Sequence, residues 1–215
     1  MVARLSIRLD PFEEDFKRYV SSQLKKVLTS KAASIRSQIE QKIRAATRQL
    51  LVESPEYVSL LGGKLQAELG VPEALQRISD VVDQWVSNIS VTVVAGKSPL
   101  LTVEIGVIQA DYEDVLSLPA ATYSYTSSTS GSVDIPWLQW LLLEGDKRII
   151  RKYSFAPIQR GSRTGLGIMI KDRVSGWQVP PEYSGTASNN FAIRALESLD
   201  KKIDEIVDHV IKASL

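Results

Sequence analysis

Ile89-Ser90-Val91-Thr92-Val93-Val94-Ala95-Gly96-Lys97-Ser98-Pro99-Leu100-Leu101-Thr102-Val103-Glu104-Ile105-Gly106-Val107 is where the chain changes period. Ile89, Val91 and Val93 fall on one face of an extended strand, and Leu101, Val103, Ile105 and Val107 line a second. Gly96-Lys97-Ser98-Pro99 turns the chain between them, so the stretch predicts a β-hairpin. The residues before it repeat at three and four instead. The change reads as an α+β fold, with a long N-terminal helix and a C-terminal helix packed on a mostly antiparallel β-sheet.

Working back towards the N-terminus, Gly70-Val71-Pro72 introduces a helix through about Ser87, with Leu75, Ile78, Val81, Val82 and Trp85 as its apolar residues. Pro55 to Leu61 forms a short helix stopped by Gly62-Gly63, and Lys64 to Leu69 another turn. Ahead of Ser54-Pro55 lies the longest element. Asp10-Pro11-Phe12-Glu13 is a helix start: Asp10 caps free N–H groups, Pro11 sits where its missing N–H costs nothing, and Glu13 reaches back as in a capping box. Apolar residues then recur through Phe16, Val20, Leu24, Val27, Ile35, Ile39, Ile43 and Leu50, with no Gly or Pro from Phe12 to Ser54. At 1.5 Å per residue, a helix of about 40 residues is about 60 Å long. That exceeds the width of a small domain, so part of it is expected to pack on another subunit.

Towards the C-terminus, Asp111 to Leu118 reads as a short helix or turn and Ala121 to Tyr125 as a strand. Thr126 to Ser132, nearly all Ser, Thr and Gly, reads as a mobile loop. Pro136 to Glu144 is a short apolar helix ended by Gly145. Arg148 to Ile158 and Gly167 to Lys171 read as strands around a polar loop, and Gly176 to Val179 as a last short strand. Ser188 or Asn189 is expected to cap the final helix. Leu196, Leu199, Ile203, Ile206 and Val210 there have heptad spacing, which an ordinary amphipathic helix packed on its own sheet also satisfies. Three regions result: a helical region 1–88, a β-rich region 89–187 with the short helix 136–144, and a C-terminal helix 188–215 that packs on the sheet or on a neighbouring subunit.

The 215 residues, 44% of them hydrophobic, suffice for a real core. The formal net charge of +1 argues neither for nor against nucleic acid. With no cysteine there is no disulfide, thiolate nucleophile or cysteine-ligated metal. His209 is the only histidine, so a Ser-His-Asp centre or a multi-histidine metal site would depend on a residue of a charged helix. Gly161 to Gly167 lacks the lysine and spacing of a phosphate loop, and Asp111, Glu113 and Asp114 lack calcium-loop spacing. No catalytic, cofactor or metal residue is assigned, and no enzyme is expected. No signal peptide is visible and the longest apolar run is too short for a bilayer, so a soluble protein without a membrane partner is expected.

Two features point to binding instead. From Lys17 to Arg48 the first helix carries nine basic residues against Glu40. Lys25, Lys26, Arg36, Arg44 and Arg48 are candidates for contact with phosphates or an acidic partner. The second feature is a set of large apolar anchors: Trp137, Trp140, Leu141, Trp177, Phe191, Leu196, Leu199 and Ile203. Indoles suit cores and interfaces alike, because they bury large areas yet need a partner for the ring N–H.

Gly63-Lys64-Leu65 after the first helix, the aromatic run Trp140 to Gly145 ending in Glu-Gly, and Phe191 to Leu196 opening the last helix follow in an order that resembles the neck and tail-completion proteins of long-tailed bacteriophages. The resemblance covers most of the chain and is most specific from Ser175 to Leu196. The long basic first helix and the region Tyr112 to Asp134 go beyond the compact family pattern. The resemblance implies a virion structural protein, or head–tail connector, assembled in the host cytoplasm. Its copies would close into a homo-oligomeric ring of six or twelve and meet other phage neck and tail proteins. Such a ring would let DNA pass through its lumen with non-specific contact at most. The alternative is a nucleic-acid-binding protein that uses the basic face of the first helix.

Overall fold

The computed structural model describes residues 2–4, 14–95, 101–106, 112–127, 131–162 and 165–214. Its order is β1 (Val2–Arg4), α1 (Glu14–Val52), α2 (Pro55–Gly62), α3 (Lys64–Leu69), α4 (Ala74–Ser87), β2 (Ser90–Ala95) and β3 (Leu101–Gly106). There follow α5 (Glu113–Leu116), a 3-10 turn at Pro119–Ala121, β4 (Tyr123–Ser127), β5 (Gly131–Ile135), α6 (Trp137–Leu143), β6 (Ile150–Ala156), β7 (Ile168–Trp177) and α7 (Phe191–Ser214). The fold is α+β. Among the described residues, however, the strands form three small antiparallel sheets rather than one, ordered β1-β3-β2, β4-β5 and β6-β7. The capping sequence at Asp10 to Glu13 and the turn at Gly96 to Pro99 lie outside the described residues.

By contacts the chain divides into two compact units that interleave in sequence, so boundaries at 88 and 187 do not coincide with them. The first comprises Met1–Ala46, Val86–Ile108 and Leu199–Leu215; the second comprises Thr47–Trp85 and Gln109–Ser198. In the first unit, Ile35, Ile39 and Ile43 of α1 are fully buried, as their four-residue spacing requires. Ile89 and Val91 of the hairpin and Leu199, Ile203, Val207 and Val210 of α7 complete that core. Leu196 and Ile206 are only half-buried. The buried stripe of α7 is therefore that of an ordinary amphipathic helix, offset from the heptad reading.

Three expectations for the second unit need correction. Of the loop expected over Thr126 to Ser132, residues 128–130 lie outside the described residues and the other four lie in strands. β4 and β5 pair through Thr126↔Ser132 and Ser127↔Gly131, and Ser124 Oγ donates to Asp134 at 2.7 Å. Thr is a good strand former on a half-exposed surface, so a low-complexity composition hid a hairpin. Residues 167–171 and 176–179 are not separate strands either: β7 runs unbroken to Trp177. Asp172 accepts backbone N–H bonds from Val174 and Ser175, at 3.0 and 3.4 Å, which satisfies the irregular stretch. On the facing strand the register shifts between Arg151 and Tyr153, and Lys152 there has φ 62°, a bulge in the left-handed region.

The third correction concerns the cap of α7, which is Asn190 rather than Ser188 or Asn189. Asn190 Oδ1 accepts from the N–H groups of Ala192 and Ile193 at 3.1 and 3.2 Å. Ser188 and Asn189 lie instead in the preceding turn, closed by Thr186 N–H to Asn189 O at 2.8 Å. Among the described residues, no helix is long and apolar enough to cross a membrane.

Candidate functional site

The second unit brings together the segments that drew notice in the sequence. At the end of α6, Gly145 N–H donates to Gly185 O at 2.9 Å, and Glu144 pairs with Thr186 as an isolated bridge. Both glycines are needed for this approach. A Cβ on Gly145 would lie 2.5 Å from Gly185 N, and one on Gly185 would press on Leu141 O and sit 2.9 Å from Asn190 Cβ. Asn190, wholly buried, fills the corner so formed. Its Nδ2 donates to Tyr112 Oη at 2.9 Å and Thr186 O at 3.0 Å, with Leu142 O at 3.4 Å. The Glu-Gly ending and the turn before Phe191 are thus two sides of one backbone junction.

α2 and α3 join the same framework. Buried Glu56 is ion-paired with Arg194 of α7, which also donates to Asn189 Oδ1 at 2.7 Å. Lys64 Nζ meets Glu182 Oε1 at 2.8 Å. Ser59 Oγ accepts from Leu65 N–H at 3.0 Å and so splices α2 to α3. Gly63-Lys64-Leu65 is accordingly a tight helix–helix joint.

The predicted anchors separate into several roles. Trp137 is fully buried and donates Nε1 to Ala120 O at 2.8 Å; Leu141 is buried beside it in α6. Phe191 packs edge-on against Trp85, with ring centroids 5.3 Å apart. Leu199 and Ile203 are core residues of the first unit. Trp140 differs: it is half-buried, with its ring 6.0 Å from that of Trp177. These two indoles line a cavity of about 480 Å³, together with Tyr123, Tyr125, Phe155 and Glu68. Trp177 Nε1 donates to Glu68 Oε2 at 2.6 Å, and Tyr123 Oη donates to Leu69 O at 2.5 Å. Glu68, Tyr123 and Asn190 were not singled out in the sequence. Glu68 sits four residues after Lys64 and looks like half of a routine helical pair, so nothing local marks it.

Burial pushes the Glu68 carboxyl above its ordinary value of 4.5, against the opposing effects of the Trp177 hydrogen bond and the Lys64 charge. A raised folded-state value means that the fold holds this proton more tightly than the unfolded chain does. The stabilisation it brings is complete below the ordinary value and is lost as pH rises through the folded one. At neutral pH the ionised group therefore works against folding. Glu68→Gln, which keeps an acceptor for Trp177, is expected to melt at a higher temperature than the parent at pH 7. The gap should close as the pH falls through about 4.5. Thermal melts of both proteins across that range check it, and an equal gap at every pH contradicts it.

Among the described side chains of the basic face of α1, Lys31, Arg36, Arg44 and Arg48 are engaged within the chain. Arg44 donates to Ile89 O at 2.9 Å and Ser87 O at 3.2 Å, so it caps the carbonyl end of α4. Lys31 donates to Ser214 O at the end of α7. Arg48 pairs with Asp83, and Glu40 lies 2.7 Å from Arg44 and 3.9 Å from Arg36. Positive side chains at helix C-termini meet the negative end of the dipole. Lys25 and Lys26 are exposed. His209 is exposed on α7, and the described residues contain no cluster of potential metal ligands. Compared with known protein families, with characterised proteins and with solved structures, the chain has no match.

Proposed function

We propose that the protein is a structural subunit of the bacteriophage neck or tail end, whose copies associate into a ring that joins or completes head and tail. One observation carries the associative part of this reading. The apolar stripe of α1 is continuous in sequence, but its burial is not. Ile35, Ile39 and Ile43 are 0% exposed, whereas among the described residues Val20 and Leu24 are only half-buried and Val27 is 38% exposed. A helix keeps such a stripe in water at a cost, and a neighbouring subunit is the natural cover. The β4–β5 hairpin adds a second surface. Its directly paired residues Tyr125 and Val133 are 46% and 40% exposed. The phage assignment itself rests on the resemblance of Gly63 to Leu65, Trp140 to Gly145 and Ser175 to Leu196.

Head-to-tail contact between the α1 stripe and a different surface of the next copy is heterologous, and it closes into a ring when the rotation allows. Light scattering behind a sizing column, at several concentrations, is expected to give a discrete species of six or twelve copies. Leu24→Asp with Val27→Asp should reduce it to monomer with unchanged circular dichroism. A strict monomer that also fails to join phage neck or tail proteins would sink the reading. DNA affinity falling steeply with salt would favour the alternative. The engagement of Arg44, Arg48 and Lys31 within the chain weighs against that alternative.

A further inference from the structure

We propose that the aromatic cavity of the second unit is a binding site for an organic cation, an alkylammonium or guanidinium head, held by Glu68 against the faces of Trp140, Trp177 and the neighbouring rings. The argument begins with the carboxylate. Glu68 is the one acid among the lining residues described, and it makes no ion pair among them. Lys64, four residues earlier on α3, is hydrogen-bonded to Glu182 instead. One carboxylate oxygen is held by the Trp177 indole N–H at 2.6 Å, which fixes the group's direction and leaves the other oxygen for a ligand.

The walls supply the second half of the chemistry. Indole and phenol faces attract cations through their quadrupoles, most strongly where water is excluded. Trp140 and Trp177 stand 6.0 Å apart at 58°, a tilted pair that presents ring surface from two directions. Tyr123 is locked by its bond to Leu69 O, so this wall is pre-organised. The volume of about 480 Å³ lies within the range of small-ligand pockets, roughly 300–1,000 Å³. A purely apolar ligand would leave the carboxylate without a counter-charge in a half-buried site, and an anion would be repelled. A cation satisfies both the acid and the rings.

The test is calorimetric titration of the full chain with butylguanidinium and with benzyltrimethylammonium, using the uncharged 3,3-dimethylbutyl analogue as control. Saturable binding of a cation, at least about tenfold tighter than the neutral analogue, is expected. Glu68→Gln keeps the Trp177 hydrogen bond and should weaken the cation by about tenfold or more while leaving the neutral analogue unchanged. Trp140→Leu should weaken both. A capped Gly-Gly-Arg-Gly-Gly peptide identifies the source. Tighter binding than butylguanidinium indicates an arginine side chain of a partner polypeptide, and weaker binding indicates a free small molecule; either supports the cation site. No binding at millimolar concentration, equal affinity for the neutral analogue, or indifference to Glu68→Gln in a folded variant overturns it.

Discussion

Trp85→Ala is expected to lower unfolding stability by about 3–5 kcal/mol. Trp85 is fully buried and meets two other rings edge-on, Phe191 at 5.3 Å and Tyr112 at 6.5 Å. Those rings come from α7 and from the start of α5, so one side chain links α4 to two distant parts of the second unit. Removing it leaves a void that three packed elements cannot close without moving together. Trp85→Phe should behave very differently, with a loss below about 2 kcal/mol. The Trp85 Nε1 is buried without a hydrogen-bond partner, so phenylalanine removes an unsatisfied donor as well as some volume. Urea unfolding of the two variants checks the contrast. Equal losses would show that the indole N–H is satisfied in solution, and that the ring's polar edge contributes more than its area.

Asn190→Asp is expected to cost about 2–4 kcal/mol, and more at neutral than at acid pH. The amide group is used in both directions. Its oxygen takes two N–H groups of the first turn of α7, while its nitrogen faces the oxygens of Tyr112, Leu142 and Thr186. Aspartate keeps the cap but replaces the donor with a second oxygen, set against backbone carbonyls in a fully buried corner. Protonation restores a donor, which is why acid should narrow the deficit. Asn190→Ala loses both halves and should cost a similar amount without the pH dependence. Chemical unfolding at two pH values separates them. A deficit for Asn190→Asp that does not depend on pH would refute the donor argument.

Much of the local architecture was legible before any coordinates. α1 to α4 follow from the spacing of apolar residues and from the breakers at Ser54-Pro55, Gly62-Gly63 and Gly70-Val71-Pro72, all of which act within one or two turns. The β2–β3 hairpin follows from strict alternation. The β4–β5 hairpin escaped because Ser, Thr and Gly serve a polar ribbon and a loop equally well. The α7 cap was placed at Ser188 or Asn189, whereas Asn190 holds it. Asn190 is the residue whose side-chain oxygen reaches the free N–H groups of Ala192 and Ile193, while its nitrogen reaches Leu142 O at the far end of α6.

The candidate site was harder to foresee than the fold. Trp140 and Trp177 were visible as anchors, but the acid between them came from α3, 109 residues before Trp177. The sequence alone determined the helical and extended segments, the absence of thiol and multi-histidine chemistry, and the large residues that must be buried or bound. Tertiary structure decided which of those residues became core and which lined a cavity. It also spent Lys31 and Arg44 on helix ends and left Glu68 without an ion pair among the described residues. The physical reason is range: periodicity, capping and turn preference are written in neighbouring residues, whereas burial, charge pairing and desolvation depend on what folding brings from far along the chain.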